Sequence, residues 1–173
     1  MANGQVIAWV QGRMEYGPRA LGHRSILASP LQPKMRDIVN ARVKHREEFR
    51  PFAGAVPLDC AAEFFELTAP SPYMQFVVPV RAEMQARPPA VVHFGTCRAQ
   101  TASHDDDPRF YELLTKFGKL TGVPVMLNTS FNDADEPIVC TPRDAIRSFL
   151  GMELDALIIG DRVVTKRRAG ETD

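Results

Sequence analysis

Residues 107–132, DPRFYELLTKFGKLTGVPVMLNTSFN, decide the fold because they contain a helix, its end and a buried strand in succession. Asp107 can cap the helix, Pro108 suits its first position and Gly122 suits its end. Five apolar residues recur at the spacing of one helix face: Phe110, Leu113, Leu114, Phe117 and Leu120. The apolar run at residues 123–127 then predicts a strand. A helix that leads into a buried strand indicates an α/β domain.

Further strands and helices are predicted on both sides of this stretch. The strands are predicted at residues 5–10, 52–56, 74–78, 90–94, 157–159 and 163–164, the last two as a hairpin. The helices are predicted at residues 33–43, at residues 59–67, and from a capping box at Thr141 to about Leu150. Strands that alternate with helices predict a mixed or largely parallel sheet covered by helices.

Length and composition indicate one soluble domain. The 173 residues are 45% apolar and 24% charged, both ordinary for a globular protein. No apolar run approaches a membrane span and no signal peptide precedes the first strand, so we expect a cytoplasmic protein without membrane contact. Cys60, Cys97 and Cys140 are odd in number and far apart, which predicts reduced, buried thiols. Residues 167–173 are predicted to be a disordered tail.

Positive charge is concentrated near the beginning of the chain. Residues 1–50 hold nine basic and four acidic residues, although the whole chain has a net charge of zero. This local excess predicts a focused anion site. Nucleic acid is a less suitable partner, because proteins that coat it usually have a basic balance overall.

The segment at residues 12–25 combines three glycines and a proline with Arg19 and Arg24. Glycine permits positive φ angles and close approach of a ligand, and arginine presents a planar fork to phosphate oxygens. The segment therefore fits an anion-binding loop. It equally fits a structural turn whose arginines pair with nearby carboxylates. His23 fits a hydrogen-bonding support better than a general base.

Other polar residues follow predicted strands or precede them. Three basic residues precede the strand at residues 52–56: Lys44, Arg46 and Arg50. They fit either a charged helix end or an anion site, and their dense spacing favours the anion site. Asn128 and Ser130 follow the strand at residues 123–127, where ligands gather in open α/β sheets, although turns use the same residue types. Arg98, in a predicted loop after a strand, raises the same choice between ligand contact and structural support.

Several familiar sites are absent from the sequence. There is no glycine-rich phosphate loop of the Walker or Rossmann type and no nucleophilic triad. Asp105, Asp106 and Asp107 could bind a metal, but a solvated turn with a helix cap explains them better, so no protein metal site is predicted. The cations instead indicate electrostatic stabilisation of phosphoryl chemistry.

Five motifs occur in the order found in one known family. They are residues 12–25, Lys44-x-Arg46-x-x-x-Arg50-Pro51-Phe52, Ser71-Pro72-Tyr73-Met74, Arg98-x-Gln100-Thr101, and residues 122–132. Over residues 4–166 the chain resembles the C-terminal domain of the NodU/CmcH family of O-carbamoyltransferases. The family acts on antibiotics and nodulation factors.

The resemblance implies an α/β domain with a YrdC-like fold, a twisted mixed sheet flanked by helices. It implies that ATP and carbamoyl phosphate are converted with Mg²⁺ to carbamoyladenylate. It also implies a partner domain with an actin-like fold, N-terminal in the parent protein, which transfers the carbamoyl group to a hydroxyl. A homo-oligomer is a further expectation for this domain. The alternative is a non-catalytic nucleotide- or RNA-binding module of the same fold.

The family motifs also imply which residues form the site. Lys44, Arg50 and Arg24 are carried over as catalytic residues. The residues expected to bind ATP and carbamoyl phosphate are Arg19, Arg24, Lys44, Arg46, Arg50, Arg98, Asn128 and Ser130. The chain departs from the family at residues 93–98, one residue shorter and without the usual aspartate, and at His23, where asparagine is usual.

Overall fold

The computed structural model describes residues 1–45, 47, 49–134 and 136–166. The predicted site residue Arg46 and the predicted tail at residues 167–173 lie outside the described residues. The described part forms one eight-stranded sheet with helices on both faces, which confirms the predicted α/β fold.

The strands run in the spatial order β4-β5-β3-β6-β2-β1-β7-β8. Their bounds are β1 Ile7–Val10, β2 Arg24–Ala28, β3 Ala53–Pro57, β4 Val77–Pro79, β5 Thr96–Ala102, β6 Met126–Ser130, β7 Ala156–Ile159 and β8 Arg162–Val164. The β1–β7 and β3–β5 pairs are parallel, and the other neighbouring pairs are antiparallel. The sheet is therefore mixed, with antiparallel pairs in the majority.

The helices begin and end at local sequence signals. They are α1 Lys34–Ile38, α2 Ala61–Phe64, α3 Pro108–Thr121 and α4 Pro142–Gly151, and α1 continues as a π-helical segment, Val39–Lys44. The Asp107 side chain accepts from the Phe110 amide at the start of α3, and Gly122 ends it with φ 75°. Thr141 and Asp144 form the predicted capping box of α4. These two helices and the hairpin between β7 and β8 confirm the sequence predictions.

Each face of the sheet has its own hydrophobic core. On one face, α3 packs Phe110, Leu114 and Phe117 against strand residues such as Leu27 and Met126. On the other face, a larger core includes residues of α1, α2 and α4. Because side chains alternate along a strand, the six inner strands from β5 to β7 in the spatial order contribute to both cores, whereas the edge strands β4 and β8 contribute to the larger core only. The face covered by α3 is called the α3 face below.

The structure differs from the predicted elements at several positions, and it contains two strands, β2 and β5, that were not predicted. The strand Arg24–Ala28 was missed, because only a short apolar run follows a glycine-rich segment. The predicted strand at residues 90–94 is wrong: a short 3₁₀ turn, Pro89–Val91, precedes a tight turn with positive φ at Phe94 and Gly95. Arg98 consequently lies on β5, not in a loop. The strands predicted at residues 74–78 and 123–127 are shifted toward the C-terminus as β4 and β6, and the helix predicted at residues 59–67 is shortened to α2.

The shift of β6 matters for the site. The strand begins at Met126 and continues to Ser130, so Asn128 and Ser130 lie on the strand instead of in a turn after it. Pairing with β2 and β3 on either side extends the strand through these polar residues. Local sequence suggests a turn there, and the two neighbouring strands decide the outcome.

Candidate functional site

Arg98 and Asn128 lie in one row across three strands. Ala53 on β3 pairs with Arg98 on β5 and with Asn128 on β6. Directly paired residues project to the same side of a sheet. Asn128 pairs on its other side with Leu27, a residue of the core under α3, so the row projects to the α3 face. Ala53 between them leaves space above its small side chain.

A small cavity of about 90 Å³ lies at this row. Its lining includes Arg19, Arg98, Asn128 and Ser130, four of the predicted site residues. Arg19 comes from the glycine-rich segment, whereas the other three project from β5 and β6. The structure therefore brings together residues that are more than 100 positions apart in the sequence.

Arg19 and Arg98 are cations that face each other without an acid between them. Among the described residues, neither guanidinium makes a hydrogen bond or an ion pair with a carboxylate. Partial burial and the nearby charge of Arg19 lower the pKa of Arg98. Two like charges held together without a counterion favour the binding of an anion.

A larger cleft of about 870 Å³ opens beside the small cavity and shares Arg19 and Arg98 with it. Further lining residues include Arg13, Tyr16 and Tyr73. Both tyrosines are largely exposed to solvent, at 108% and 65%. Exposed rings in a cleft with arginines that pair with no carboxylate in the described part of the chain suit a ligand that has a flat ring system and a phosphate group.

A second cleft, of about 720 Å³, contains Lys44 and Arg50 and meets the small cavity at Ser130. The Lys44 ammonium is nearly buried and donates to the Ser130 carbonyl at 3.1 Å and to Asn132 Oδ1 at 2.9 Å. Arg50 is exposed and pairs with Glu47 at 3.0 Å. Lys44 and Arg50 therefore lie one cavity away from Arg19 and Arg98.

The glycine-rich segment is held in place by side-chain groups that bind its backbone and by contacts of the His23 ring. Glu15 Oε1 accepts from the amides of Leu21, His23 and Arg24. The His23 ring lies 3.2 Å from the Gln11 carbonyl through Nδ1 and 3.4 Å from Asp107 Oδ2 through Nε2. Both ring nitrogens are engaged, which favours the predicted supporting role of His23.

Arg24 lies apart from the other predicted site residues. It pairs with Val10 and projects to the face opposite α3. Its guanidinium donates to the carbonyls of Cys140, Gln11, Gly12 and His23 at 2.8–3.2 Å. With its side chain buried among carbonyl acceptors, Arg24 fits the alternative of structural support. The geometry does not favour the catalytic role carried over from the family motif.

Sequence reasoning overlooked Glu15 and Gln100 as organisers of the site. Gln100 Nε2 donates to the Leu21 carbonyl at 2.6 Å, and Asn128 Nδ2 donates to the Ala20 carbonyl at 3.2 Å. The two amides join the glycine-rich segment to the sheet. The position of Gln100 two residues after Arg98, on the same strand face, was the available signal.

The thiols and acids differ in their surroundings. Cys97 is buried, which raises its pKa to about 12, whereas Cys60 is half-buried and Cys140 is exposed. The prediction of three buried thiols is therefore confirmed for Cys97 only, and it is wrong for half-buried Cys60 and exposed Cys140. Asp107 caps α3 as predicted.

Two further features are absent from the described ranges. No three His, Cys, Asp or Glu side chains group there as metal ligands. No helix of the described residues has the length and apolarity needed to cross a bilayer.

The sequence matches the model of a known protein family over almost its whole length. The model of the carbamoyltransferase C-terminus matches residues 1–166, and the chain belongs to this family of carbamoyltransferase domains.

Among the relatives are proteins named for nodulation. The chain is 49% identical to nodulation protein NolNO of Sinorhizobium fredii and to nodulation protein NolO of Bradyrhizobium diazoefficiens, over 100% of its own length. These alignments cover 26% and 32% of the two relatives. Nodulation protein U of Rhizobium tropici is 44% identical over 76% of the chain and 23% of the relative. The chain thus spans about a quarter to a third of the length of these curated relatives.

Proposed function

We propose that this domain synthesises carbamoyladenylate from carbamoyl phosphate and ATP, as part of an enzyme that carbamoylates a hydroxyl of a small molecule. The observation that carries the proposal is the pair Arg19 and Arg98, which have no acidic partner among the described residues and lie where two cavities meet. Membership of the carbamoyltransferase family supports the carbamoyl group as the part that is transferred.

The three adjoining cavities support the use of two polyanionic substrates. The cleft of about 870 Å³ has room for a nucleotide, and its exposed tyrosines offer surfaces on which a base can stack. The cleft with Lys44 and Arg50 supplies further cations on the other side of Ser130. ATP bound across this surface would place its phosphates beside the small cavity.

The proposed reaction has two steps. Water first converts carbamoyl phosphate to carbamate and phosphate. A carbamate oxygen then attacks the α-phosphorus of ATP, and pyrophosphate leaves with the electron pair of the broken P–O bond. Arg19, Arg98 and Arg50 would stabilise negative charge that develops on the phosphoryl oxygens.

Mg²⁺ would enter this site on the phosphates of ATP. In such sites the phosphates of the substrate and water molecules commonly hold most of the coordination positions of magnesium, and the protein contributes few ligands. The side chains at the cavity junction are cations and amides, which suit phosphate oxygens better than a metal ion. When bound, the ion would neutralise part of the negative charge of the triphosphate.

Pyrophosphate release tests the proposal. The domain is incubated with ATP and Mg²⁺, with and without carbamoyl phosphate, and pyrophosphate is measured by a coupled assay. Release that depends on carbamoyl phosphate is expected. Release that does not depend on it would contradict the mechanism.

Exposed Tyr16 and Tyr73 beside Arg19 also suit a nucleotide- or RNA-binding module. Titration with RNA at two salt concentrations tests this second candidate, because binding through phosphates weakens steeply with salt. ATP binding without turnover, together with tight, salt-sensitive RNA binding, would favour it over catalysis.

Transfer to a hydroxyl acceptor is proposed for a separate, N-terminal domain of the parent protein. The two clefts that hold the other cations adjoin the small cavity, whose described lining holds Arg19 and Arg98 and no carboxylate, and this arrangement suits anion binding. The test supplies ATP, carbamoyl phosphate and a panel of hydroxyl acceptors, with or without the N-terminal part of a relative. Carbamoylated product from this chain alone would contradict the division of labour.

A further inference from the structure

The orientation of the Asn128 amide is fixed by a chain of hydrogen bonds. Gln100 Nε2 donates to the Leu21 carbonyl at 2.6 Å. This contact fixes the Gln100 amide so that its oxygen, Oε1, faces Asn128. Asn128 Nδ2 donates to that Oε1 at 2.7 Å and to the Ala20 carbonyl at 3.2 Å. A flipped Asn128 amide would place its oxygen against two acceptors, which is unfavourable.

This fixed orientation leaves Asn128 Oδ1 without a donor. The side chain is 1% exposed, and among the described residues Oδ1 has no hydrogen-bond partner. A buried carbonyl oxygen without a donor is costly, and such exceptions need an explanation. The two acceptors occupy the Nδ2 side of the amide, and Asn128 is one of the residues that line the small cavity.

The cavity limits what can supply the donor. Its volume of about 90 Å³ corresponds to roughly three water molecules, which suits a group of a few heavy atoms and is small for a purine. Arg19 and Arg98 in the same lining require that the group be anionic or attached to an anion. The occupant therefore combines negative charge with an N–H or O–H donor.

We propose that Asn128 Oδ1 accepts a hydrogen bond from the amino group of the carbamoyl substrate, and that Asn128 thereby selects carbamoyl over acyl phosphates. The inference rests on the proposed function and extends it to one atom. Arg19 and Arg98 hold the oxygens of the substrate, and Asn128 distinguishes its NH₂ group from a methyl group. Gln100 is the positioning residue that keeps Oδ1 directed toward the substrate.

The test compares two ligands that differ in one group. Carbamoyl phosphate and acetyl phosphate are titrated calorimetrically into the domain, in short experiments at low temperature, with and without a non-hydrolysable ATP analogue. The expected result is that carbamoyl phosphate binds about tenfold more tightly or better, because acetyl phosphate leaves the buried acceptor unpaired.

Two substitutions of nearly equal size separate the acceptor from the rest of the amide. Asn128→Leu removes the acceptor, and the preference for carbamoyl phosphate is expected to fall to about one. Asn128→Asp keeps an acceptor oxygen, but its second oxygen meets the Ala20 carbonyl and Gln100 Oε1 and its charge repels phosphate, so stability and the binding of both ligands should fall while the preference persists in the folded variant. Thermal melting of each variant establishes that the domain is folded.

The outcomes separate this inference from the proposed function. Equal binding of both ligands by the unchanged protein would overturn the role of Asn128 and leave carbamoyladenylate synthesis standing. Binding of neither ligand would overturn both. A preference unaffected by Asn128→Leu would assign recognition to another group. If Asn128→Leu instead removed discrimination between ATP and inosine triphosphate, Oδ1 would read the adenine amino group and the inference would be wrong.

Discussion

Arg98 and Asn128 flank Ala53 in one row of the sheet, although 30 positions separate them in the sequence. Arg98 enters the row from the beginning of β5, and Asn128 from the middle of the antiparallel β6. The site is therefore not formed at the carboxyl ends of parallel strands. It lies where β6 ends beside the beginnings of β3 and β5.

Removal of the Arg98 charge should damage catalysis and spare the fold. Arg98→Met is expected to lower carbamoyl-phosphate-dependent pyrophosphate release by about 10²–10³. The melting temperature should stay the same or rise, because the repulsion between Arg19 and Arg98 is relieved. Arg36→Met, which removes a partly exposed ion pair with Asp37 on α1, is the matched control. A normal rate in Arg98→Met would remove Arg98 from the site.

Arg24→Met should have the opposite pattern. It leaves the carbonyls of Cys140, Gln11 and Gly12 without their buried donor. The free energy of unfolding should fall by about 3 kcal/mol, since each unsatisfied buried group costs about 1–3 kcal/mol. Urea denaturation measures this loss. An unchanged midpoint together with lost turnover would restore the catalytic role carried over from the family.

Arg50→Ala should reduce turnover more than stability. Arg50 is exposed and its pairing with Glu47 is a surface ion pair, which is worth about 0–1 kcal/mol. Arg50→Lys should also be impaired if the phosphate contact uses two guanidinium nitrogens, because lysine is a point charge. Glu47→Gln serves as the control that removes the pairing and keeps the cation. Full activity of Arg50→Ala would make Arg50 a surface residue only.

Gly22 makes the closest approach between the glycine-rich segment and α3. A Cβ at this position would lie 2.6 Å from a ring carbon of Phe110, and φ is 121°. Gly22→Ala should therefore cost backbone strain of about 1–3 kcal/mol and a further ~1–3 kcal/mol from overpacking.

Gly17→Ala is the matched control for Gly22→Ala. Gly17 also has positive φ, 138°, but a Cβ there meets nothing within 4 Å. Gly17→Ala should therefore lower the free energy of unfolding only by the contribution of backbone strain. In a Phe110→Ala background the difference between the two substitutions should largely disappear. A difference that persists would assign the effect to the backbone alone.

The buried thiol predicts a pH dependence of stability. Burial raises the pKa of Cys97 from 9.0 to about 12, so the folded state retains a proton that the unfolded state loses in this range. Stability should fall as pH rises from 9.0 to about 12, with a slope near 1.4 kcal/mol per pH unit. Cys97→Ala should remove this part of the slope in urea denaturation at several pH values.

Thiol labelling checks the same placement. Cys140 is exposed and should react with a thiol reagent in the folded protein, whereas buried Cys97 should react only after unfolding. Rapid labelling of Cys97 at neutral pH would contradict the burial on which the pH prediction depends.

Helix α3 and the capping box of α4 could be predicted because their signals are local. Asp107, Pro108 and Gly122 act on the backbone within one turn of the helix end, as does the pair Thr141 and Asp144. The missed strand Arg24–Ala28 had no comparable signal. Its five residues are a strand because β1 and β6 pair with it on both sides.

The sequence alone determined the chemical character of the site and its family resemblance. Arginine, lysine and amide residues at fixed spacings indicate phosphate binding, whatever the fold, because their charge and donor geometry are intrinsic. The match to the carbamoyltransferase C-terminus confirms the family that the motifs indicated.

Only the tertiary structure decided which of these residues act together. Arg24 and Arg98 look alike in the sequence, yet one lies buried among carbonyls and the other faces Arg19 across a cavity. The side of the sheet to which a side chain projects depends on strand register, and register is set by pairing between distant segments. The environment of Asn128 Oδ1, which is buried without a donor among the described residues in a side chain that lines the same cavity as Arg19 and Arg98, likewise exists only after β2, β3 and β6 have paired.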